Sequence, residues 1–173
     1  MDKLNEFQFV RLLGQGAFST VFHVRSKSTL DDFAIKIIEK TRVSNKKQQK
    51  SLQNEIDIQR GLDHTNIVKL YDYFEDNDKF YLLLEYCPGI DLRNSINKNG
   101  RFSEHSCKEI MKQLVEAVNF LQASGIMHRD LKLANILVHR NKPWITDFGL
   151  AVKLDESKGF RDTFCGTPNY ISP

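Results

Sequence analysis

Ile126-Met127-His128-Arg129-Asp130-Leu131-Lys132-Leu133-Ala134-Asn135-Ile136-Leu137, followed by Ile145-Thr146-Asp147-Phe148-Gly149, is the stretch that decides the fold. Charged and amide side chains are packed between short apolar runs able to act as strands. Asp147 and Asn135 offer hard oxygen ligands of the kind that suit Mg²⁺ held jointly with substrate phosphates. Asp130 supplies a separate carboxylate, able to orient an attacking hydroxyl and accept its proton.

Upstream, Phe33-Ala34-Ile35-Lys36 places a lysine in an otherwise apolar strand. A buried ammonium is costly without an anionic partner, although a lysine can also snorkel to the surface. A phosphate or a carboxylate would each resolve the cost. Glu55, flanked by Leu52 and Ile56 in a helical stretch, is the natural carboxylate. Further upstream, Gly14-Gln15-Gly16-Ala17-Phe18-Ser19-Thr20-Val21 lies between two strand-like segments. Its glycines let backbone amides approach phosphate oxygens; a bland hairpin turn would also favour glycine. A dinucleotide-binding loop needs a helix next, whereas Thr20–Val24 reads as a strand.

The remaining pattern places these groups. Phe7–Val10, Thr20–Val24, Phe33–Ile38, Ile67–Leu70 and Phe80–Leu84 are short and rich in β-branched and aromatic residues. One helix is expected from about 45 to 62, with Leu52, Ile56 and Gln59 on one side. Beyond residue 90 the pattern turns helical: Ser103 is an expected N-cap with Glu104 in the first turn. Ile110, Leu114, Val118 and Leu121 then recur at helical spacing until Gly125 ends the helix. Two lobes are expected, 1–86 and 87–173, joined near Glu85–Asp91 with Pro88-Gly89 as a hinge.

Composition excludes little but is consistent. The chain has 173 residues, 25 basic and 22 acidic side chains, and a formal charge of +3. That charge is too small and too dispersed to argue for nucleic acid or a membrane surface. The basic run Lys46-Lys47-Gln48-Gln49-Lys50 reads as a solvated helix face. Cys87, Cys107 and Cys165 form no CxxC pair, which suggests free thiols in a reducing compartment. No apolar run is long enough to span a bilayer and the N-terminus lacks a signal-peptide pattern, so a cytosolic or nuclear address is the default.

With these motifs in order and spacing, the sequence resembles the eukaryotic protein kinases from about Phe7 onward. The resemblance implies an α+β bilobal fold: a complete N-lobe of five strands plus helix C, and a partial, mainly helical C-lobe. It implies ATP and Mg²⁺ as cofactors and a protein substrate as partner. Leu13, Gly14, Gln15, Gly16, Ala17, Phe18, Ser19, Thr20 and Val21 would cover the nucleotide. Lys36, paired with Glu55, would bind its α- and β-phosphates. Leu84 would be the gatekeeper, the Glu85–Cys87 backbone would bond adenine, and Asp91 would reach the ribose. Val21, Ala34 and Leu137 would sandwich the base. Asp130 would be the catalytic base, Lys132 a γ-phosphate contact, and Asn135 and Asp147 the Mg²⁺ ligands. His128 would be structural. Thr163 would be the activation-loop phosphosite, its phosphate pairing with Arg129, and Thr167 would contact the catalytic loop. Lys132 directly after Asp130-Leu131 marks the serine/threonine class.

The ending Cys165-Gly166-Thr167-Pro168-Asn169-Tyr170-Ile171-Ser172-Pro173, with Tyr73-Phe74-Glu75-Asp76 and the Asn54-Glu55 helix, resembles the polo-like kinases, in particular the polo-like kinase 4 (Sak) branch. That likeness implies a role in centriole duplication and a cytoplasmic, centrosomal address. Aurora, NEK and ULK-type kinases are the competing relatives. Leu133-Ala134 and Gln59 depart from the polo pattern; Ser19 stands where a third glycine is usual in the wider family, a position at which polo kinases also vary. The sequence is expected to stop one residue before the glutamate that completes an Ala-Pro-Glu-like motif. Two readings follow: part of an active kinase, or a short nucleotide-binding or interfering module without catalysis.

Overall fold

Between the charged ends Asp32 and Glu39 of one strand, Phe33–Ile38 is apolar at every position but Lys36, because the strand lies in the middle of a sheet with a partner on each side. The computed structural model describes residues 3–16, 19–154 and 165–170. Strands β1 (Phe7–Gln15), β2 (Ser19–Ser26), β3 (Asp32–Glu39), β4 (Leu70–Glu75) and β5 (Lys79–Glu85) form one antiparallel sheet in the order β1-β2-β3-β5-β4. Because side chains alternate along a strand, β3 splits its residues between two cores. Ile35 joins Phe7, Val24, Tyr81 and Leu83 on the outer face. Ala34 and Ile38 join Leu70, Leu82 and Leu84 on the inner face, against helix α1. Lys36 shares that inner parity.

Helix α1 (Lys46–Arg60) begins at Asn45, whose side chain accepts from the Gln48 amide while the Gln48 side chain accepts from the Asn45 amide. This reciprocal cap satisfies two orphan donors. Leu52, Glu55, Ile56, Ile58 and Gln59 are buried; Lys46 and Lys50 are exposed, as expected of the basic run.

The fourth strand departs from the expectation of Ile67–Leu70: it starts at Leu70 and runs to Glu75. Asn66–Val68 are occupied elsewhere. The Val68 amide donates to Ile145 O at 2.9 Å, and the Ile145 amide donates to Asn66 O at 2.8 Å. Gln59 Nε2 also donates to Val68 O. The apolar run therefore stitches the sheet to the next part of the chain, and the more polar Leu70–Glu75 pairs with β5 across a bulge near Leu70.

Beyond β5 the chain forms β6 (Ile90–Asp91), α2 (Leu92–Asn99), α3 (Glu104–Ala123), β7 (Ile126–Met127), β8 (Ile136–His139), β9 (Lys142–Ile145) and β10 (Val152–Lys153). Strands β6-β8-β9 make a small sheet and β7 pairs with β10. Gly89 shows why glycine sits at the joint: an added Cβ would lie 2.1 Å from the Val138 carbonyl oxygen. Ser103 caps α3 by accepting from the Ser106 amide, and Gly125 (φ +65°) follows its end. The buried stripe of α3 is Ile110, Leu114, Ala117 and Leu121. Val118, expected on that stripe, is 37% exposed with Met111 and Val115 on a neighbouring face. Both 117 and 118 fit helical spacing from 114, and the small Ala117 is the one that lets α3 pack closely. The fold is α+β, as expected. No helix among the described residues is long and apolar enough to cross a membrane.

Candidate active site

Short β7 feeds directly into a loop whose backbone is strained. Arg129 has φ +66°, a region that side chains other than glycine and asparagine seldom adopt. The turn is held from two sides: Arg129 Nε donates to Leu150 O at 2.8 Å, and His128 is buried against Phe148 with rings 4.8 Å apart. His128 Nε2 donates to Thr146 O, while its Nδ1 accepts from the Asp130 amide. One neutral tautomer satisfies both contacts, and burial holds the imidazole pKa below its ordinary value. Both ring nitrogens are thus occupied within the fold.

The loop delivers Asp130 into a dense set of donors. Asp130 Oδ1 accepts from Thr167 Oγ1 at 2.6 Å. Its Oδ2 accepts from Lys132 Nζ at 2.7 Å and from Asn135 Nδ2 at 3.0 Å. Lys132 Nζ also donates to Thr167 Oγ1 at 2.8 Å. Burial pushes the Asp130 carboxyl up, but the bonds from Lys132 and Thr167 outweigh it and hold the pKa below the usual aspartate value. Asn135 spends its Nδ2 on Asp130, the amide also donating to Asp130 O, which turns its Oδ1 away from that carboxylate.

A second cluster forms where β3, α1 and the segment after β9 meet. Lys36 Nζ donates to Glu55 Oε1 at 2.7 Å and lies 3.8 Å from Asp147 Oδ1. Burial would lower the lysine pKa, yet the two carboxylates outweigh it and hold the pKa above normal. Asp147 adopts a left-handed backbone (φ 66°, ψ 74°) and keeps its side chain half exposed. Strain of this kind persists only where the surroundings over-determine it. Phe148, fully buried, is one anchor. Gly149 lies close to both carboxylates: a Cβ added there would come into ordinary contact with Glu55 Oε2 at 3.4 Å and Asp147 Oδ1 at 3.5 Å.

Above these clusters, Ala34, Leu84 and Cys87 are buried in one apolar group, with Leu13, Val21 and Leu137 partly buried against it. At the β1–β2 turn the Gly16 amide donates to Ser19 O at 2.8 Å. A Cβ added at Gly14 would meet nothing within 4 Å among the described residues, so their packing does not demand that glycine. Leu13, Gly14, Gln15, Gly16, Ser19, Thr20 and Val21 thus lie on the tip and its flanking strands. Ala17, Phe18 and Thr163 lie outside the described residues. Asp91 is less free than expected: it caps α2, taking the Asn94 amide at 2.9 Å and Asn94 Nδ2 at 2.6 Å.

Sequence reasoning missed several supports. Asn54 Nδ2 donates to Ala151 O at 2.8 Å and Ser51 Oγ to Gly149 O at 3.2 Å, tying α1 to the segment after Asp147. Trp144 Nε1 donates to Glu85 Oε1 at 3.2 Å. Helical spacing from Glu55 could have placed Ser51 beside it; nothing local marks Trp144.

A model of the protein kinase domain matches residues 7–173. The chain belongs to the protein kinase domain family. Serine/threonine-protein kinase PLK4 of Danio rerio is 39% identical over 176 residues, covering 99% of this chain and 18% of the relative. The PLK4 of Nematostella vectensis is 39% identical over 174 residues, with the same shares. Aurora/IPL1-related protein kinase 2 of Caenorhabditis elegans is 36% identical over 171 residues, covering 98% of this chain and 55% of that protein. The chain therefore spans under a fifth of the length of the PLK4 relatives it matches. In kinase terms, the five-stranded sheet β1–β5 with α1 is the N-lobe, accompanied by a small helical part.

Proposed function

We propose that the protein transfers the γ-phosphoryl group of ATP to serine or threonine hydroxyls of a protein substrate. The observation that carries this reading is Asp130, held ionised by Lys132, Thr167 and Asn135 beside the Lys36–Glu55–Asp147 cluster. A carboxylate with that many donors is a weak base. It suits a reaction with a loose transition state, in which little proton transfer is needed early and positioning dominates. Asp130 orients the substrate hydroxyl and takes its proton late. Lys132, whose Nζ donates to Asp130 Oδ2 at 2.7 Å, would contact a γ-phosphoryl oxygen.

Lys36 would bind the α- and β-phosphates, kept charged and aimed by Glu55. The apolar group of Val21, Ala34 and Leu137 would hold the base, with Leu84 as gatekeeper, the Glu85–Cys87 backbone bonding adenine and Asp91 near the ribose. The residues fit a magnesium ion: Asp147 presents a half-exposed carboxylate, and Asn135, whose Nδ2 is spent on Asp130, an amide oxygen with no partner among the described residues. Among the described residues no group of three or more histidines, cysteines and carboxylates could hold a metal alone. The remaining ligands would come from phosphate and water, as is usual for Mg²⁺. When bound, the ion supplies charge neutralisation of the phosphates. The division of labour is 1–86 for nucleotide and 87–173 for catalysis, with Thr163 as the activating phosphosite.

Within the family we place the protein with the polo-like kinase 4 branch, acting in centriole duplication at the centrosome. Two PLK4 proteins at 39% identity support this, and an Aurora-related kinase at 36% narrows the margin. Depletion of the protein that leaves centriole number unchanged would remove this finer assignment.

The reaction is tested by Lys36→Met and Asp130→Asn in the intact protein, assayed for transfer of labelled phosphate from ATP to casein. Each should lower transfer at least about a thousandfold, the scale of lost electrostatic stabilisation. Wild-type rates in either variant would overturn the roles. Labelled phosphotyrosine in place of phosphoserine and phosphothreonine would overturn the substrate class.

A further inference from the structure

Three consecutive side chains leaving β5 are held by three different parts of the fold. Glu85 accepts from Trp144 of β9 and, at 3.4 Å, from the Lys69 amide. Cys87 is buried in the apolar group beneath the nucleotide slot. Tyr86, alternating to the other side, turns to the outer strands. Its ring stacks on His23 of β2 with centroids 3.9 Å apart and planes 8° from parallel. Its hydroxyl accepts from Arg11 of β1 at 3.2 Å.

His23 is an unusual choice for that contact. It is only 6% exposed, and its Nδ1 has no partner among the described residues, a cost an apolar side chain would avoid. Its Nε2 bonds Asp32 Oδ1 at 2.8 Å, and Asp32 is fixed in turn by Arg25 at 2.9 and 3.2 Å. What the imidazole supplies, and leucine cannot, is a flat face locked in orientation by Asp32.

We infer that His23 is a positioning residue for the nucleotide. Through the stack on Tyr86 it fixes the Glu85–Cys87 backbone, and so sets affinity for ATP while leaving the transfer step alone. The inference rests on the reading of that backbone as the adenine contact. A hinge fixed before binding loses less freedom on binding, and the fraction of competent hinge scales the apparent affinity directly.

The test uses the intact protein, ADP binding by calorimetry, and steady-state kinetics with ATP and casein, all below the melting temperature of every variant. His23→Leu should raise the Kd for ADP and the KM for ATP about three- to tenfold, the range a ring stack commands, with kcat within about twofold. His23→Phe, which keeps a flat ring, should recover most of the loss. Tyr86→Leu should raise KM similarly, and the double variant His23→Leu/Tyr86→Leu should be no worse than Tyr86→Leu, because both remove one contact. Unchanged KM and Kd in His23→Leu, a fall confined to kcat, or additive effects in the double variant would each overturn the inference. A wild-type protein that binds no ADP would overturn the nucleotide reading itself, and this inference with it.

Discussion

Replacing Glu55 by alanine isolates what the Lys36 pair contributes. At 2.7 Å the gross attraction is about 6 kcal/mol at an effective dielectric near 20, and most of it offsets the burial of two charges. Removing one partner from a buried pair typically costs about 3–5 kcal/mol, because the other charge is stranded. Here Lys36 keeps Asp147 at 3.8 Å, which reduces the expected loss to about 2–3 kcal/mol. That is a large part of a stability of about 5–15 kcal/mol. Replacing both residues, as Lys36→Met/Glu55→Leu, should restore most of the stability, since an apolar pair removes the stranded charge. Urea unfolding measures the first quantity and phosphate transfer the second. The double variant should be stable and inactive. A loss below about 0.5 kcal/mol for Glu55→Ala, the level of an exposed pair, would mean that the Lys36–Glu55 pair does not stabilise the fold. A double variant no more stable than the single one would mean that the loss does not come from a stranded charge.

Gly89→Ala should destabilise by at least about 2 kcal/mol, because overpacking against backbone cannot relax cheaply, whereas Gly14→Ala should leave the melting temperature unchanged and weaken ADP binding. Asn54→Ala should cost about 0.5–1.5 kcal/mol and lower kcat, since α1 loses its bond to Ala151 O; unchanged kcat with a normal KM would count against that coupling. Asp130, with its folded pKa depressed, adds stability that is complete above the ordinary aspartate value of 3.8 and disappears as pH falls through the lower folded value. An Asp130→Asn variant should therefore lose acid dependence only below about pH 4, as read by unfolding at stepped pH.

Most of the sheet and helix α1 were legible in the sequence because their signals are local: short β-branched and aromatic runs such as Phe33–Ile38, the helical spacing of Leu52 and Ile56, and glycines between strands. Leu70–Glu75 was hidden because Asp72 and Glu75 mask its alternation while Ile67–Val68 imitate a strand and bond β9 instead. The Ala117 stripe was misassigned to Val118 because helical spacing admits both and only packing distance chooses. At the site, charged residues in apolar contexts announced themselves: Lys36, Glu55, Asp130, Asn135, Asp147. Their supports did not. Trp144, Tyr86, His23 and Asn54 act through partners up to 97 positions away, and no local pattern encodes such a pairing.

Asp130 is proposed to act in transfer and not in holding the nucleotide. The decisive measurement compares Asp130→Asn with the wild-type intact protein for ADP binding by calorimetry and for single-turnover phosphate transfer to casein. The variant is expected to bind ADP within about threefold of wild type, a difference under 0.7 kcal/mol, while transfer falls at least about a thousandfold. Transfer that survives, or binding that collapses together with it, would contradict the role assigned to Asp130.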